Sequence, residues 1–274
     1  MGARAMHIPF WKMHGAGNDF VLVDDRAETF PATNEAWLRA IAARRTGVGA
    51  DGVILIQRSA TADFRMRFFN PDGREADMCG NGARCVARLA HEIGAAPAAM
   101  SIETPAGLVR AEMAGEQVRL RMTDPKDWRM AQTLTANGQT VTYGFVNTGV
   151  PHAVVETDDL DACDVQGLGA ALRHHAAFAP TGTNVNFIQV SGPQSVRVRT
   201  YERGVEAETL ACGTGIVASA LVAAAAGRAR PPVQVIPTGG DVLTVDFALD
   251  GLMARDTTLL GPAAHVFRGE LDRP

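Results

Sequence analysis

Cys79-Gly80-Asn81-Gly82 and, at an offset of 133 residues, Cys212-Gly213-Thr214-Gly215 are the stretches from which the rest of the chain is read. Each precedes a segment of helical character, at about 83–93 and 216–226, so each sets a thiol beside the backbone N–H groups of a helix N-terminus. Such a terminus carries roughly half a unit of positive charge. That setting draws a cysteine pKa from about 8.5 toward roughly 3.5–7.5. Two thiols in matched settings are two candidate bases. A blander reading stands beside this one: a glycine-rich turn before a helix is an anion-binding nest, and a lone buried cysteine is ordinary packing.

The same offset aligns much more than the cysteines. The run Phe20-Val21-Leu22-Val23 falls on Ala153-Val154-Val155-Glu156, each after a glycine-containing turn, Gly15-Ala16-Gly17 and Gly149-Val150-Pro151. Helical segments follow at 34–45, with Thr33 or Asn34 as N-cap, and at 165–177. Val53-Ile54-Leu55-Ile56 then falls on Asn186-Phe187-Ile188-Gln189. The alternating Phe64-Arg65-Met66-Arg67-Phe68-Phe69 matches Val196-Arg197-Val198-Arg199-Thr200-Tyr201 at an offset of about 132, so the second copy carries one extra residue before its cysteine; both show the two-residue period of a strand with one buried face. Gly94 and Gly227 stop the two cysteine helices, and turn-bounded strands at 108–113 and 242–247 complete each copy. An internal repeat of this order and length predicts an α+β fold of two similar domains. They are expected at 1–126, carrying Cys79, and 127–263, carrying Cys212, with the linker at the turn formers Asp124-Pro125-Lys126-Asp127. Residues from about 264 onward have no counterpart at the end of the first copy, and are expected to form a strand that returns to it.

Composition narrows the chemistry. The chain has 274 residues, 46% of them hydrophobic and 20% charged, enough for two cores. A net charge of −4 offers no electrostatic case for nucleic acid or an anionic membrane, which points to a small neutral or zwitterionic ligand. No apolar run reaches the roughly 18–20 residues of a membrane span, and Met1-Gly2-Ala3-Arg4-Ala5-Met6 lacks the apolar region of a signal peptide, so a cytoplasmic protein is expected. The four cysteines lack metal-ligand spacing, and a reducing compartment keeps them as thiols. Cys85 and Cys163 read as structural. The only lysines are Lys12, in a strand-like run, and Lys126, in a proline-flanked turn, which disfavours a pyridoxal phosphate Schiff base. No zinc, P-loop or dinucleotide motif is present. Neither metal nor cofactor is expected.

If the two halves pack about a pseudo-two-fold axis, Cys79 and Cys212 flank one ligand in the cleft, a favoured place for a small-molecule site. One thiolate and one thiol then remove a proton from one face of a carbon and return another to the opposite face, which inverts its configuration. Backbone N–H groups of Gly80-Asn81 and Gly213-Thr214 are placed to hold the substrate carboxylate as charge builds on it, and glycine lets that backbone approach closely. His152 and Glu202 are candidates for tuning the thiols. The alternative for His152 is a surface turn residue, and for Glu202 and Arg203 a solvated ion pair.

Taken together, Gly15-Ala16-Gly17-Asn18-Asp19-Phe20, Phe69-Asn70-Pro71-Asp72-Gly73, Cys79-Gly80-Asn81-Gly82-Ala83-Arg84-Cys85, Gly182-Thr183-Asn184-Val185-Asn186-Phe187 and Glu202-Arg203-Gly204 leading to Cys212-Gly213-Thr214-Gly215 closely resemble the diaminopimelate epimerase family over nearly the whole chain. The resemblance implies two pseudo-symmetric domains, each a β-barrel-like sheet around a central helix. It also implies a cofactor-independent interconversion of LL- and meso-diaminopimelate, on the route to lysine and peptidoglycan. Carried over by motif, Cys79 and Cys212 are the acid/base thiols, and His152 and Glu202 adjust their ionisation. Asn18, Asn70, Asn184 and Arg203 hold the far end of the substrate, with backbone contacts from Glu202 and Arg203; an arginine suits bidentate grip on the distal carboxylate. A homodimer and domain closure on substrate are implied as well. Two departures loosen the substrate assignment: Val150 stands where many members have Asn, and Gly52 where some have a substrate-contacting Gln. They keep open a cofactor-free racemase of another amino acid, such as histidine. A non-catalytic amino-acid-binding protein is the third reading.

Overall fold

Alternating and fully apolar runs bounded by glycine turns become strands, and the chain divides into two compact units, residues 1–120 with 262–274 and residues 121–261. The computed structural model describes residues 7–274; residues 1–6, read above for a leader's apolar region, lie outside the described residues. The first unit runs β1 (His7–Gly15), β2 (Asn18–Asp24), α1 (Glu35–Ala42), β3 (Gly52–Gln57), β4 (Phe64–Phe69), β5 (Glu75–Ala76), α2 (Gly80–Glu92), β6 (Ala99–Thr104), β7 (Gly107–Ala114) and β8 (Gln117–Arg121). The second runs β9 (Lys126–Ala136), β10 (Gln139–Asn147), β11 (Pro151–Glu156), α3 (Val165–Arg173), β12 (Asn184–Gly192), β13 (Ser195–Glu202), β14 (Ala207–Thr209), α4 (Gly213–Ala225), β15 (Val233–Pro237), β16 (Leu243–Asp250) and β17 (Met253–Pro262). A last strand, β18 (Ala264–Asp272), belongs to the first unit and pairs with β1.

The repeat is visible in the pairings. In the first unit the strand order is β18-β1-β2-β3-β4-β6-β7-β8, with β5 on β4; only β2/β3 and β4/β6 are parallel. In the second it is β9-β10-β11-β12-β13-β15-β16-β17, with β14 on β13; only β11/β12 and β13/β15 are parallel. Parallel neighbours need a crossover, and here each crossover carries a helix. The one covers the outside of its sheet. The other, following the cysteine, is wrapped by it: α2 packs on β1, β2, β3, β4 and β7, and α4 on β10, β11, β12, β13, β15 and β16. This is the expected α+β architecture, one topology occurring twice.

Burial explains the residue choices. β3 is buried along its whole length, as a strand between two helical layers must be. Its Val53 and Leu55 join Leu38 and Ile41 of α1 in one apolar cluster, while Ile54 faces Gly82 of α2. In the second unit Val185 and Phe187 of β12 pack with Leu168 and Leu172 of α3. α4 is apolar on every side, buried from Gly215 to Ala223, which suits a helix enclosed by strands.

Several boundaries differ from the sequence expectation. α2 and α4 start three residues earlier, at Gly80 and Gly213, because the glycine-rich turns are themselves the first helical turn: Ala83 N–H donates to Cys79 O at 2.8 Å and Ile216 N–H to Cys212 O at 2.9 Å. The cysteines are thus the N-caps. α1 begins after the Asn34 cap but stops at Ala42 rather than at 45, since the carbonyls of Ile41 and Ala42 accept from Gly49 and Ala50 instead of from further helix. α3 ends at Arg173 rather than at 177, because the chain turns to seat Phe178 on Tyr143 and Phe145. Lys126, expected in a turn, is the first residue of β9. Both cysteine helices stop at the expected glycines, Gly94 and Gly227, at φ +66° and +71°. Among the described residues no helix is long and apolar enough to cross a membrane.

Candidate active site

Cys79 caps α2 without a side-chain bond to its helix, and its Sγ lies 3.6 Å from Asn18 Oδ1, at the start of β2. Asn81 Nδ2 donates to the same oxygen at 3.2 Å, and Arg84 Nη2 donates to Asn81 Oδ1 at 2.9 Å. Asn18 Nδ2 in turn donates to Asp51 Oδ2 at 2.6 Å. Behind Asp51 lies an ion cluster: Arg44 reaches Asp51 Oδ1 at 2.6 Å and Asp19 at 2.7 Å, and Lys12 Nζ reaches Asp19 at 2.6 Å while also donating to Gly49 O. Burial alone would lift the Asp19 carboxyl, but the hydrogen bonds from Arg44 and Lys12 outweigh it and hold Asp19 at about 2. Arg84, completely buried, also donates from Nε to Pro262 O at 3.1 Å. Such an approach of α2 to β1 needs Gly15: a Cβ there would sit 2.8 Å from Asn81 O and 3.2 Å from Arg84 Nη2. Burial pushes the Cys85 thiol up to about 12, as befits packing rather than acid/base chemistry.

Cys212 occupies the corresponding cap of α4 with different company. Its Sγ is 3.6 Å from Thr214 Oγ1, and His152 Nε2 is 2.9 Å from that hydroxyl. The imidazole tautomer follows from its other side. Asn186 Nδ2 lies 3.0 Å from His152 Nδ1, while Asn186 Oδ1 accepts from the Thr200 hydroxyl at 3.0 Å. An amide nitrogen only donates, so Nδ1 accepts and the proton is on Nε2, which donates to Thr214. The Thr214 O–H is then available to donate to Cys212 Sγ. His152 is fully buried, and burial, with the nearby Arg203 charge, lowers its pKa to about 3. It stays neutral. Gly215 makes this proximity possible: a Cβ there would lie 2.4 Å from Asn186 Oδ1 and 3.3 Å from His152 Cε1.

Next to this lie the remaining second-unit candidates. Asn184 Oδ1 accepts the Arg203 backbone N–H at 2.8 Å, and Asn184 Nδ2 donates to Pro151 O at 3.3 Å. Glu202, at the end of β13, accepts the Thr209 hydroxyl at 2.8 Å, and burial raises its pKa against that bond. The Arg203 guanidinium donates to Thr181 O at 3.2 Å and lines an open groove of about 640 Å³ with Trp128, Arg129, Phe145 and Phe178.

A family model described as diaminopimelate epimerase matches residues 10–128 and again residues 144–260, once for each cysteine motif. The chain belongs to the diaminopimelate epimerase family. Diaminopimelate epimerase of Aquifex aeolicus is 44% identical over 276 residues, covering 96% of this chain and 98% of that protein. The enzyme of Chlorobaculum tepidum is also 44% identical, over 263 residues, covering 94% and 99%. Among solved structures, a Bacillus anthracis phenazine biosynthesis protein of the PhzF family superposes with a TM-score of 0.72 at 17% identity, covering 97% of this chain and 99% of that one. At that identity the likeness speaks for the fold alone. Diaminopimelate epimerases are isomerases, and this chain is a member of that enzyme class.

As a diaminopimelate epimerase family member, the chain distributes its expected site residues into two constellations. Cys79, Gly80, Asn81 and Asn18 gather at the start of α2, and Cys212, Gly213, Thr214 and His152 at the start of α4. His152 corrects the sequence reading: it lies within β11, not in the turn before it, and it reaches Cys212 through Thr214. Asn70 closes the turn after β4 with its backbone, its N–H donating to Arg74 O and its carbonyl accepting from Gly73 N–H. The residues behind the thiols escaped sequence reading: Asp51, Asp19, Arg44 and Lys12 on one side, Asn186, Thr200 and Thr209 on the other. A signal was present. At the repeat offset Asp19 falls on His152, Asp51 on Asn184 and Asn81 on Thr214, so the two copies differ where the polar groups behind the thiols stand. The departure at Gly52 also has a physical origin: a Cβ there would be 2.4 Å from the Phe68 ring and 2.5 Å from Phe69 O. Phe68 occupies the space that a longer residue 52 would need. Val150 closes its turn by accepting the Thr148 N–H.

Proposed function

We propose that this chain is a cofactor-independent epimerase that interconverts LL- and meso-diaminopimelate, with Cys79 and Cys212 acting on opposite faces of one Cα. The observation that carries the reading is the pair of cysteine N-caps at equivalent points of a doubled topology, each at the start of an enclosed helix, in a chain 44% identical to a named diaminopimelate epimerase. Thr214, with its lone pair occupied by His152, supports a thiolate at Cys212 by donating to it. In this reading Cys212 takes the Cα proton and becomes a thiol, while Cys79 gives its proton to the other face and becomes a thiolate; the reverse reaction exchanges the roles. Negative charge passing onto the substrate carboxylate is met by the first-turn N–H groups of Gly80-Asn81 and Gly213-Thr214. Donors preorganised in this way are worth about 3 kcal/mol each. Asn184, Asn70, Glu202 and Arg203 hold the distal end. The role belongs to lysine and peptidoglycan precursor synthesis in the cytoplasm, and the resemblance extends to a homodimer.

The test is incubation with LL-diaminopimelate in deuterated water. Deuterium enters Cα with inversion in the wild-type chain, and Cys79→Ala and Cys212→Ala abolish inversion; an alanine variant that still inverts ends the two-base reading. The Phe68-filled space at Gly52 favours a second reading, a racemase of another amino acid. Comparing turnover on diaminopimelate with turnover on single amino acids, histidine included, separates the two.

A further inference from the structure

We infer that Asp51 is a positioning residue for Cys79: it fixes the amide of Asn18 so that the carbonyl oxygen, and not the NH2 group, faces the thiol. The inference rests on the acid/base reading of Cys79 given above. It comes from the polarity of a four-residue relay whose two ends allow only one direction. Arg84 can only donate, so Asn81 must turn its oxygen to Arg84, at 2.9 Å, and its nitrogen to Asn18, at 3.2 Å. Asp51, as a carboxylate, can only accept, so Asn18 must turn its nitrogen to Asp51, at 2.6 Å. Both requirements leave Asn18 Oδ1 as the atom at 3.6 Å from Cys79 Sγ. An acceptor in that place favours the protonated thiol over the thiolate.

The rest of the cluster holds Asp51 in place. Arg44 holds its second oxygen at 2.6 Å, and Asp19 N–H donates to Oδ2 at 3.2 Å. Of the neighbouring groups in the first unit, Asp19 and Lys12 pair with each other and Cys85 is buried in packing, while Arg84 acts on Asn18 through Asn81. The second unit carries no copy of this device. There Asn184 replaces Asp51 at the repeat offset, Pro151 replaces Asn18, and the Thr214 hydroxyl, 3.6 Å from Cys212 Sγ, is oriented to donate. The two thiols therefore meet hydrogen-bonding partners of opposite polarity, and Asp51 is the charged residue bonded directly to the Asn18 amide that, with Arg84 at the other end of the relay, makes the first of them an acceptor. Asp51 touches no substrate in this account; its effect passes through Asn18.

The readout is the pH dependence of iodoacetamide alkylation at Cys79, resolved from the other cysteines by peptide mass spectrometry on the unliganded full chain. Asp51→Asn frees the Asn18 amide to turn its NH2 group to the sulfur, and lowers the Cys79 midpoint by about one pH unit. Asp19→Asn removes a neighbouring charge without releasing Asn18, and shifts the midpoint by less than half as much. Asn18→Asp combined with Asp51→Asn keeps the formal charge and restores an acceptor facing Cys79, so its midpoint returns to the wild-type value or above. If Asp51→Asn fails to fold by circular dichroism, the double variant alone decides: a midpoint at or above wild type supports the inference, and a lowered one overturns it. An unchanged midpoint in folded Asp51→Asn, or an equal shift in Asp19→Asn, also overturns it. Alkylation needs no turnover, so a wild-type chain without deuterium exchange but with these midpoints refutes the epimerase reading and leaves the positioning role standing.

Discussion

At the scale of single residues, the two thiols are distinguished by what lies behind them. His152 offers the sharpest test, because it is buried and neutral with a pKa lowered to about 3. In the unfolded chain it titrates near 6.5, so between those values the unfolded state binds the extra proton and stability falls as the pH drops. Each pH unit in that window is worth about 1.4 kcal/mol, so the loss from neutrality to pH 4 amounts to a few kcal/mol. Urea midpoints measured at pH 7 and pH 4 should fall steeply for the wild-type chain and more shallowly for His152→Gln. Gly215 is the second test. Its Cβ would meet Asn186 Oδ1 at 2.4 Å, whereas one at Gly80 would meet nothing within 4 Å. Gly215→Ala should therefore cost about 1–3 kcal/mol of stability and displace the imidazole that orders Thr214. Gly80→Ala should move the denaturation midpoint by no more than about 0.5 kcal/mol.

At the scale of elements, β3 shows how packing limits what can stand at a strand's first residue. The strand is buried along its length, and its first residue, Gly52, abuts the Phe68 ring and the Phe69 carbonyl of its antiparallel partner β4. Placing a longer side chain at this position is therefore not a simple gain of contact. Gly52→Gln should destabilise the chain by about 1–3 kcal/mol through overpacking, and adding Phe68→Ala should recover part of the loss by opening space for it. Thermal melts of the two variants beside turnover on diaminopimelate check both halves of that argument. The elements themselves were legible because their signals are local: two-residue alternation in β4 and β13, glycines at the ends of α2 and α4, and an asparagine before α1. Helix starts were misread by one turn because a Gly-Asn-Gly or Gly-Thr-Gly run has weak helical propensity, and only burial against strands far away in sequence makes it helical. The same reason hid the groups behind the thiols. Cys79 and Cys212 stand out by motif, but Asp51 reaches Asn18 only through the parallel pairing of β2 with β3, a contact that the residues themselves do not announce.

At the scale of the whole molecule, one topology is built twice with a different chain order. In the second unit the strand flanking the sheet, β9, precedes its neighbour β10 and pairs with it as a hairpin. The equivalent strand in the first unit, β18, is contributed by the end of the chain and pairs with β1, whose Phe10 and Ile8 are buried. The first unit thus closes only after the whole second unit has been made. Contacts this distant in sequence are slow to form and leave β1 with an unpaired edge until they do. The register supplies a remedy, because His7 stands directly opposite Asp272, so a two-residue Asn-Gly turn joining 272 to 7 matches a favoured hairpin connection. A permuted fragment running 262–272, Asn-Gly, 7–120 should fold alone, with a cooperative urea transition and protected amides along β1. The plain fragment 1–120 lacks β18 and should show little protection in β1 and a strong tendency to self-associate. Equal protection of β1 in the two fragments would mean that β18 is dispensable to the first unit, and that the likeness between β9 and β18 is one of position without structural consequence.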